Sequence, residues 1–246
     1  ADEVLPSEVI MKKIFVDDHS TDESKEIAKE FGWTVYPNKN GGIACGVNTA
    51  LKHVESDFFI SLEQDIVLAK DWFEKVPKHF GEPKVAVVMG NMFPAHPILK
   101  KLAEFSWEKS NFSMGSISNT MYKTNIIKSV VGVIPEFLKY GAVDSYIGLR
   151  LEKFGFKSIV DPTVISVHLR LGGLKEEVRR HYLYGLYAPK EKREFIDGTE
   201  LSRAFKIAMF SPFRGLEAAI KKQTAQILYY YPLLRFAFLK GALKRG

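Results

Sequence analysis

Two acidic residues one position apart, Glu63 and Asp65, close the apolar run Phe58-Phe59-Ile60-Ser61-Leu62. A run that short and aromatic-rich reads as a buried strand. In open α/β sheets, ligands bind in the crevice beyond the carboxyl ends of the strands. Two carboxylates placed there repel one another unless a cation or a set of donors lies between them. Hard divalent ions such as Mg²⁺ or Mn²⁺ favour this oxygen-rich setting and share it with substrate phosphates. Taken alone, the pair fits a solvated strand-to-helix loop equally well. A second acidic cluster, Asp17-Asp18, ends the apolar segment Val9–Val16. His168 ends a third candidate strand, where it can contact a metal or a phosphate or serve as a buried structural histidine. Arg170, Arg179 and Arg180 follow with forked donors suited to pyrophosphate, to an acceptor phosphate, or to lipid and solvent.

These groups need elements to position them. Strands are expected at Val9–Val16, Trp33–Tyr36, residues 58–62 and Pro83–Gly90, and a short one at Asn119–Lys123. Two more are expected at Phe156–Val160 and Val164–His168, separated by Asp161-Pro162. The polar cluster 17–24 leads into a helix with Ser20 or Thr21 as N-cap, stopping at Gly32. Further helices are expected over Ile43–Val54, Asp71–Phe80 and Ile98–Ser110, and one begins near Asp144 and stops at Gly155. Strand and helix alternating at this spacing argue for a parallel sheet with right-handed crossovers. From Gly172 onward the chain reads as helices at Leu174–Tyr187, Leu201–Phe210, Phe213–Tyr231 and Leu233–Leu243. They mix Lys and Arg with Phe, Tyr and Leu, a pattern suited to a membrane interface or to a helical subdomain packed on the sheet.

The chain has 246 residues, enough for one large domain or one domain with an appendage. The single cysteine, Cys45, excludes an internal disulfide and suits a reducing compartment; within its helix it is expected to serve packing. The formal charge of +6 is concentrated in residues 170–195 and at the C-terminus. Charge of this kind attracts nucleic acid, anionic lipid or a phosphate-bearing substrate. No helix-turn-helix, zinc-ligand set or RNP-like element accompanies it, so nucleic acid ranks last. Neither a signal peptide nor a spanning segment is evident. With no initiator methionine, and Met11 just before the first strand, the front end reads as trimmed.

Four stretches occur in one order: Val16-Asp-Asp-His-Ser-Thr-Asp-Glu-Ser24, Asn40-Gly-Gly-Ile-Ala-Cys-Gly-Val-Asn48, Leu62-Glu-Gln-Asp65 and Ala142-Val-Asp-Ser-Tyr146. Together they resemble the nucleotide-sugar-binding half of family-2 glycosyltransferases of the GT-A fold, over roughly residues 12–170. The resemblance implies an α/β fold with a mixed, mostly parallel sheet flanked by helices. Residues 1–170 would form the catalytic domain, and 171–246 a basic, aromatic-rich helical extension. Glu63 stands where the family has Asp, and Val143 stands where an acid precedes the base. The family's opening strand is missing.

The resemblance also implies roles. Asp17 and Asp18 read the base and ribose of a UDP- or GDP-sugar, and Asn40 and Gly41 bring amide and backbone groups to the nucleotide. Asp65 is the direct ligand of Mn²⁺ or Mg²⁺, with His168 as a further metal ligand. Glu63 reaches the ribose or a metal-bound water, and Arg170 contacts the pyrophosphate. Asp144 is the general base in an inverting single displacement, although it fits equally as a helix N-cap. Trp107 and Glu108 fall where an acceptor pocket can form, and core packing accounts for Trp107 as well. The implied enzyme moves a sugar to a hydroxyl acceptor in glycan, polysaccharide or glycolipid assembly, in the cytoplasm or peripherally on the cytoplasmic face of a membrane. The rival readings are an inactive nucleotide-sugar binder, a phosphoacceptor receiver domain (too short by about half) and a basic nucleic-acid-binding protein.

Overall fold

The computed structural model describes residues 3–107, 116–139, 141, 143–170, 172–195 and 200–244, with side chains of 188–200 left aside. In chain order come β1 (Ile14–Asp17), α1 (Ser24–Glu30), β2 (Thr34–Pro37), α2 (Ile43–Lys52), β3 (Phe58–Ser61) and β4 (Ile66–Val67). Next are α3 (Trp72–Lys75), β5 (Val85–Pro94), α4 (Pro97–Trp107), β6 (Thr120–Lys123) and α5 (Thr124–Ile126). The chain ends with α6 (Val143–Lys153), β7 (Lys157–His168), α7 (Gly173–Phe195), α8 (Glu200–Met209), α9 (Ser211–Lys221) and α10 (Ile227–Leu243). β1 and β2 form a two-stranded sheet, and the other five are ordered β3-β6-β5-β7-β4.

The sheet is mixed, as expected. β1 and β2 pair in parallel, with Asp17 opposite Pro37. The registered pairs of the larger sheet, β3 with β6, β5 with β6 and β4 with β7, are antiparallel. An apolar run encodes burial but not direction, which is why the expected parallel majority was not readable from those strands.

The chain divides into two compact units. The first comprises Ala1–Glu63, Leu68–Asn91 and Ser113–Ile165. Its centre is β5, whose residues Val85–Met89 are all buried, as the continuous apolar run requires of a strand covered on both faces. Phe59 stacks on Tyr122 across β3 and β6 at 4.8 Å. Trp72 is fully buried, and its indole N–H donates to Asn119 Oδ1 at 2.7 Å. Asp17 turns the chain before α1 by accepting from Ser20 N–H, and Asp22 accepts from Ser24 N–H. Ser20 and Thr21 therefore do not cap α1; Glu23 occupies that position without a side-chain bond. β7 is one strand through Pro162 where two were expected. β4 covers only Val167 and His168 of it, so Pro162 lies where a missing N–H is tolerated.

The second unit comprises Gln64–Val67, Met92–Phe112 and Ser166–Gly246. Leu99, Leu102 and Phe105 of α4 form a core with Ala218, Ile227, Tyr231 and Leu234. α7 and α10 approach so closely that a Cβ on Gly185 would strike Phe238 O, and one on Gly241 would strike Tyr182 O. Glycine at both positions is what allows the crossing. The expected helix Phe213–Tyr231 is broken, because Gln223 takes φ +48° between α9 and α10. Lys101 Nζ donates to the Lys222 carbonyl at 3.2 Å and to Thr224 Oγ1 at 2.6 Å, satisfying the end of α9. Pro232 then lies inside α10, its ring against the bare Cα of Gly215.

Candidate functional site

In the first unit, β1 delivers two adjacent carboxylates to its carboxyl end. Asp17 is buried, and Ser20 gives it bonds from hydroxyl and backbone. The hydroxyl bond above all holds its carboxyl below the usual range. Asp18 Oδ1 accepts from Asn38 Nδ2 at 2.8 Å and from Gly42 N–H at 3.0 Å. Asn38 Nδ2 also donates to Gly42 O, and Asn38 Oδ1 is buried with no protein partner. Gly42 sits at φ +84°, and a Cβ there would overlap the Lys139 side chain and carbonyl. Ile43 N–H donates to that same Lys139 carbonyl at 2.8 Å. Asn40 Nδ2 donates to Glu136 Oε1 at 3.1 Å. Asn48 donates to Ile134 O at 2.7 Å and accepts from Ile134 N–H at 2.9 Å. The loop before α2 is thus moulded by Asp18 on one side and by residues 134–139 on the other.

Asp144 stands in the first turn of α6 and is half-buried. Its Oδ1 accepts from Ser145 N–H at 2.9 Å, yet burial outweighs that bond and raises its pKa. Tyr122 has its own pKa pushed up, by burial first and then by the charge of Asp144. Glu63 ends the first segment of this unit, and its backbone N–H donates to Ser118 Oγ at 2.8 Å.

In the second unit, β4 pairs with the end of β7 so that Ile66 lies opposite His168, and Leu169 N–H donates to Asp65 O. This register brings Asp65 Oδ2 to 2.9 Å from His168 Nε2. Arg170 Nε donates to His168 Nδ1 at 3.3 Å. A guanidinium cannot accept, so Nδ1 carries the lone pair and Nε2 carries the proton toward Asp65. Burial, then the Arg170 charge, lowers the His168 pKa against the opposing pull of Asp65. Arg170, at φ +38°, also bonds the buried Glu177 at 2.6 Å. Glu177 is shared with Arg180 at 3.4 Å and with His181, while Arg179 pairs with Glu176 on the exposed side.

Residues 11–128 match the family described as glycosyl transferase family 2. This part of the chain belongs to glycosyl transferase family 2. No curated protein matches the sequence. Among solved structures, the chain is similar to the mannosyltransferase PcManGT from Pyrobaculum calidifontis in complex with GDP-Man and Mn²⁺. There the TM-score is 0.59 and the identity 19%, covering 96% of this chain and 67% of that one. It is also similar to S. aureus TarS 1–349 in complex with UDP-GlcNAc, with TM-score 0.52, 12% identity and 94% and 81% coverage. It spans only 37% of a longer TarS chain. A third similarity is to glucosyl-3-phosphoglycerate synthase from Mycobacterium tuberculosis with Mn²⁺, UDP and glucosyl-3-phosphoglycerate, with TM-score 0.53, 11% identity and 77% and 71% coverage. The fold is GT-A-like, with helices flanking a mixed sheet and a helical C-terminal part.

Set against the family-2 motifs, the first unit brings Asp17, Asp18, Asn40 and Gly41 into one loop system, and the second brings Asp65, His168 and Arg170 together. Trp107 ends α4. Glu108 and Ala142 lie outside the described residues. Cys45 is buried, and burial foremost raises its pKa, as for a packed thiol. Sequence reasoning passed over Asn38, Asn48, Tyr122 and Glu177. Asn48 closed a quoted motif, so its clasp on Ile134 was the one with a signal to follow.

Proposed function

We propose that this family-2 glycosyltransferase moves a sugar from a nucleoside diphosphate donor to a hydroxyl acceptor of a glycan, polysaccharide or glycolipid, with inversion, using Mn²⁺ or Mg²⁺. The supporting observation is the Asp65–His168 pair at the adjoining ends of β4 and β7. Its ligand atoms, 2.9 Å apart, have the spacing of neighbouring ligands on one ion bound at about 2.1 Å, which is roughly 3 Å. Asp65 and His168 would hold the ion, and an ion there would neutralise the leaving diphosphate. With Nε2 given to an ion, the ring proton would sit on Nδ1 and the Arg170 contact there would give way. Arg170 would then be available to the pyrophosphate on the side that Glu177 does not hold.

Glu63, two residues before Asp65, would accept from the ribose hydroxyls. Asp17 and Asp18 would use lone pairs left over from the loop to accept from the base and ribose, with Asn40 and Gly41 beside them. Asp144 would take the proton of the acceptor hydroxyl as that oxygen attacks the anomeric carbon from the face opposite the diphosphate. Its raised pKa makes it the stronger base. In this reading residues 1–170 do the chemistry, and 171–246 extend them.

The relatives' GDP-Man and UDP-GlcNAc make both bases worth testing. Calorimetric titration of UDP, GDP and their sugar conjugates, with and without Mn²⁺, should show metal-dependent binding of one of them, lost in Asp65→Ala. If the folded chain binds neither nucleotide, the reading falls. Binding without turnover over a panel of hydroxyl acceptors would leave the chain a nucleotide-sugar binder.

A further inference from the structure

Helices α8 and α9 bury one face each and leave a second apolar face uncovered. On α9 the buried residues are the small ones, Ser211, Gly215 and Ala218, which suffice for close packing. On the opposite side, at i, i+3 and i+7, Phe213, Leu216 and Ile220 are 72%, 49% and 68% exposed. On α8 the pattern repeats. Ala204 and Ala208 are buried with Leu239, while Leu201, Phe205 and Met209, at i, i+4 and i+8, are exposed. Phe210, between the helices, is 63% exposed. A groove of about 390 Å³ between α8 and α10 continues this surface, lined by Leu201, Phe205, Leu239 and Leu243 with Ser202 and Lys206. Single exposed apolar side chains are ordinary, but a stripe repeated on two successive helices marks a docking surface.

The charge beside the stripe names what covers it. Lys206 borders it on α8, where it lines the groove, and Arg214 and Lys221 stand next to Phe213 and Ile220 on α9. Residues 200–244 hold eight Lys and Arg against two Glu, an excess equal to the formal +6 of the whole chain. We propose that α8 and α9 seat the protein on an anionic lipid bilayer, with the stripe among the acyl chains and the cations among the headgroup phosphates. A second copy is the poorer occupant, because pairing through this face sets one positive excess against another. Among the described residues no helix is long and apolar enough to cross a membrane, so the seating proposed is peripheral.

The test is co-sedimentation of the full chain with vesicles of phosphatidylcholine alone or with about 30% phosphatidylglycerol. Partition should be at least about tenfold stronger on the anionic vesicles and should fall as salt is raised. Phe213→Asp with Ile220→Asp should lower it by about tenfold or more at unchanged Tm, since both side chains are exposed in the folded chain. Lys206→Glu with Arg214→Glu should remove the preference for anionic lipid. Failure of the wild-type chain to partition would overturn the proposal, as would partition indifferent to the apolar pair of substitutions. Ultracentrifugation would overturn it too, if it showed a dimer that the Phe213/Ile220 variant dissolves while vesicles capture neither protein.

Discussion

At the end of β1, Asp18 accepts from Asn38 Nδ2 and from Gly42 N–H, so its carboxylate is engaged in shaping a loop. Beyond the end of β3, the Asp65 side chain meets His168 Nε2, a group of the kind that binds metal. Both acids follow apolar strands, and sequence alone does not separate them. The difference lies in what arrives opposite. A glycine-rich turn offers backbone N–H donors that satisfy a carboxylate permanently, whereas an imidazole offers one proton that a cation can displace. Asp144 is a third case, in which bonds from backbone N–H groups do not compensate for burial.

Substitutions can break this division of labour, beginning with the largest effect. Asp144→Asn should cut kcat by about 10³-fold and leave donor affinity unchanged. It should also raise Tm at pH 7. Because the folded pKa lies above the ordinary 3.8, the ionised group opposes folding once the pH exceeds that value, and the amide removes this penalty. The gain should vanish near pH 4 and below, about the unfolded carboxyl range. In the wild type, kcat should rise with pH through a value above that range. Asp65→Ala should weaken Mn²⁺-dependent nucleotide binding by about 100-fold while changing stability little. Asp18→Ala should weaken nucleotide binding too, but only together with a loss of about 2 kcal/mol in denaturant unfolding, because Gly42 N–H and the Asn38 amide lose a charged acceptor. If Asp18→Ala instead abolishes nucleotide binding in a fully stable protein, the contrast between the two acids is wrong. Asn48→Asp, which keeps the acceptor for Ile134 N–H and loses the donor to Ile134 O, should cost about 1 kcal/mol.

Much of the fold was legible where one residue type had one physical use. Gly32 stops α1, the Val85–Met89 run is a covered strand, and the Gly41-Gly42 pair marks a loop that needs positive φ. Legibility failed where a partner distant in sequence decided. Pro162 would end a strand flanked on both sides, but β4 is too short to reach it. The break after α9 is bonded by Lys101 of α4, 121 residues earlier in the chain. The acids of the site were found by position along strands. The bonds that hold them were not, because these depend on Asn38 and Gly42 around Asp18 and on the burial around Asp144, which no spacing rule supplies.

The reciprocal bond between Asn48 and Ile134 joins residues 86 positions apart. Closing so long a loop carries an entropic cost that local turns do not. The intervening chain contains β3, β5 and β6, whose pairing shortens the effective loop once they are in place. Contacts of such span are expected late in folding. The segment 134–139 that completes the Gly42 loop should therefore dock after the larger sheet has formed. A hydrogen-exchange pulse during refolding would find the Ile134 amide protected later than those of β5, so the cradle before α2 is a product of the finished sheet.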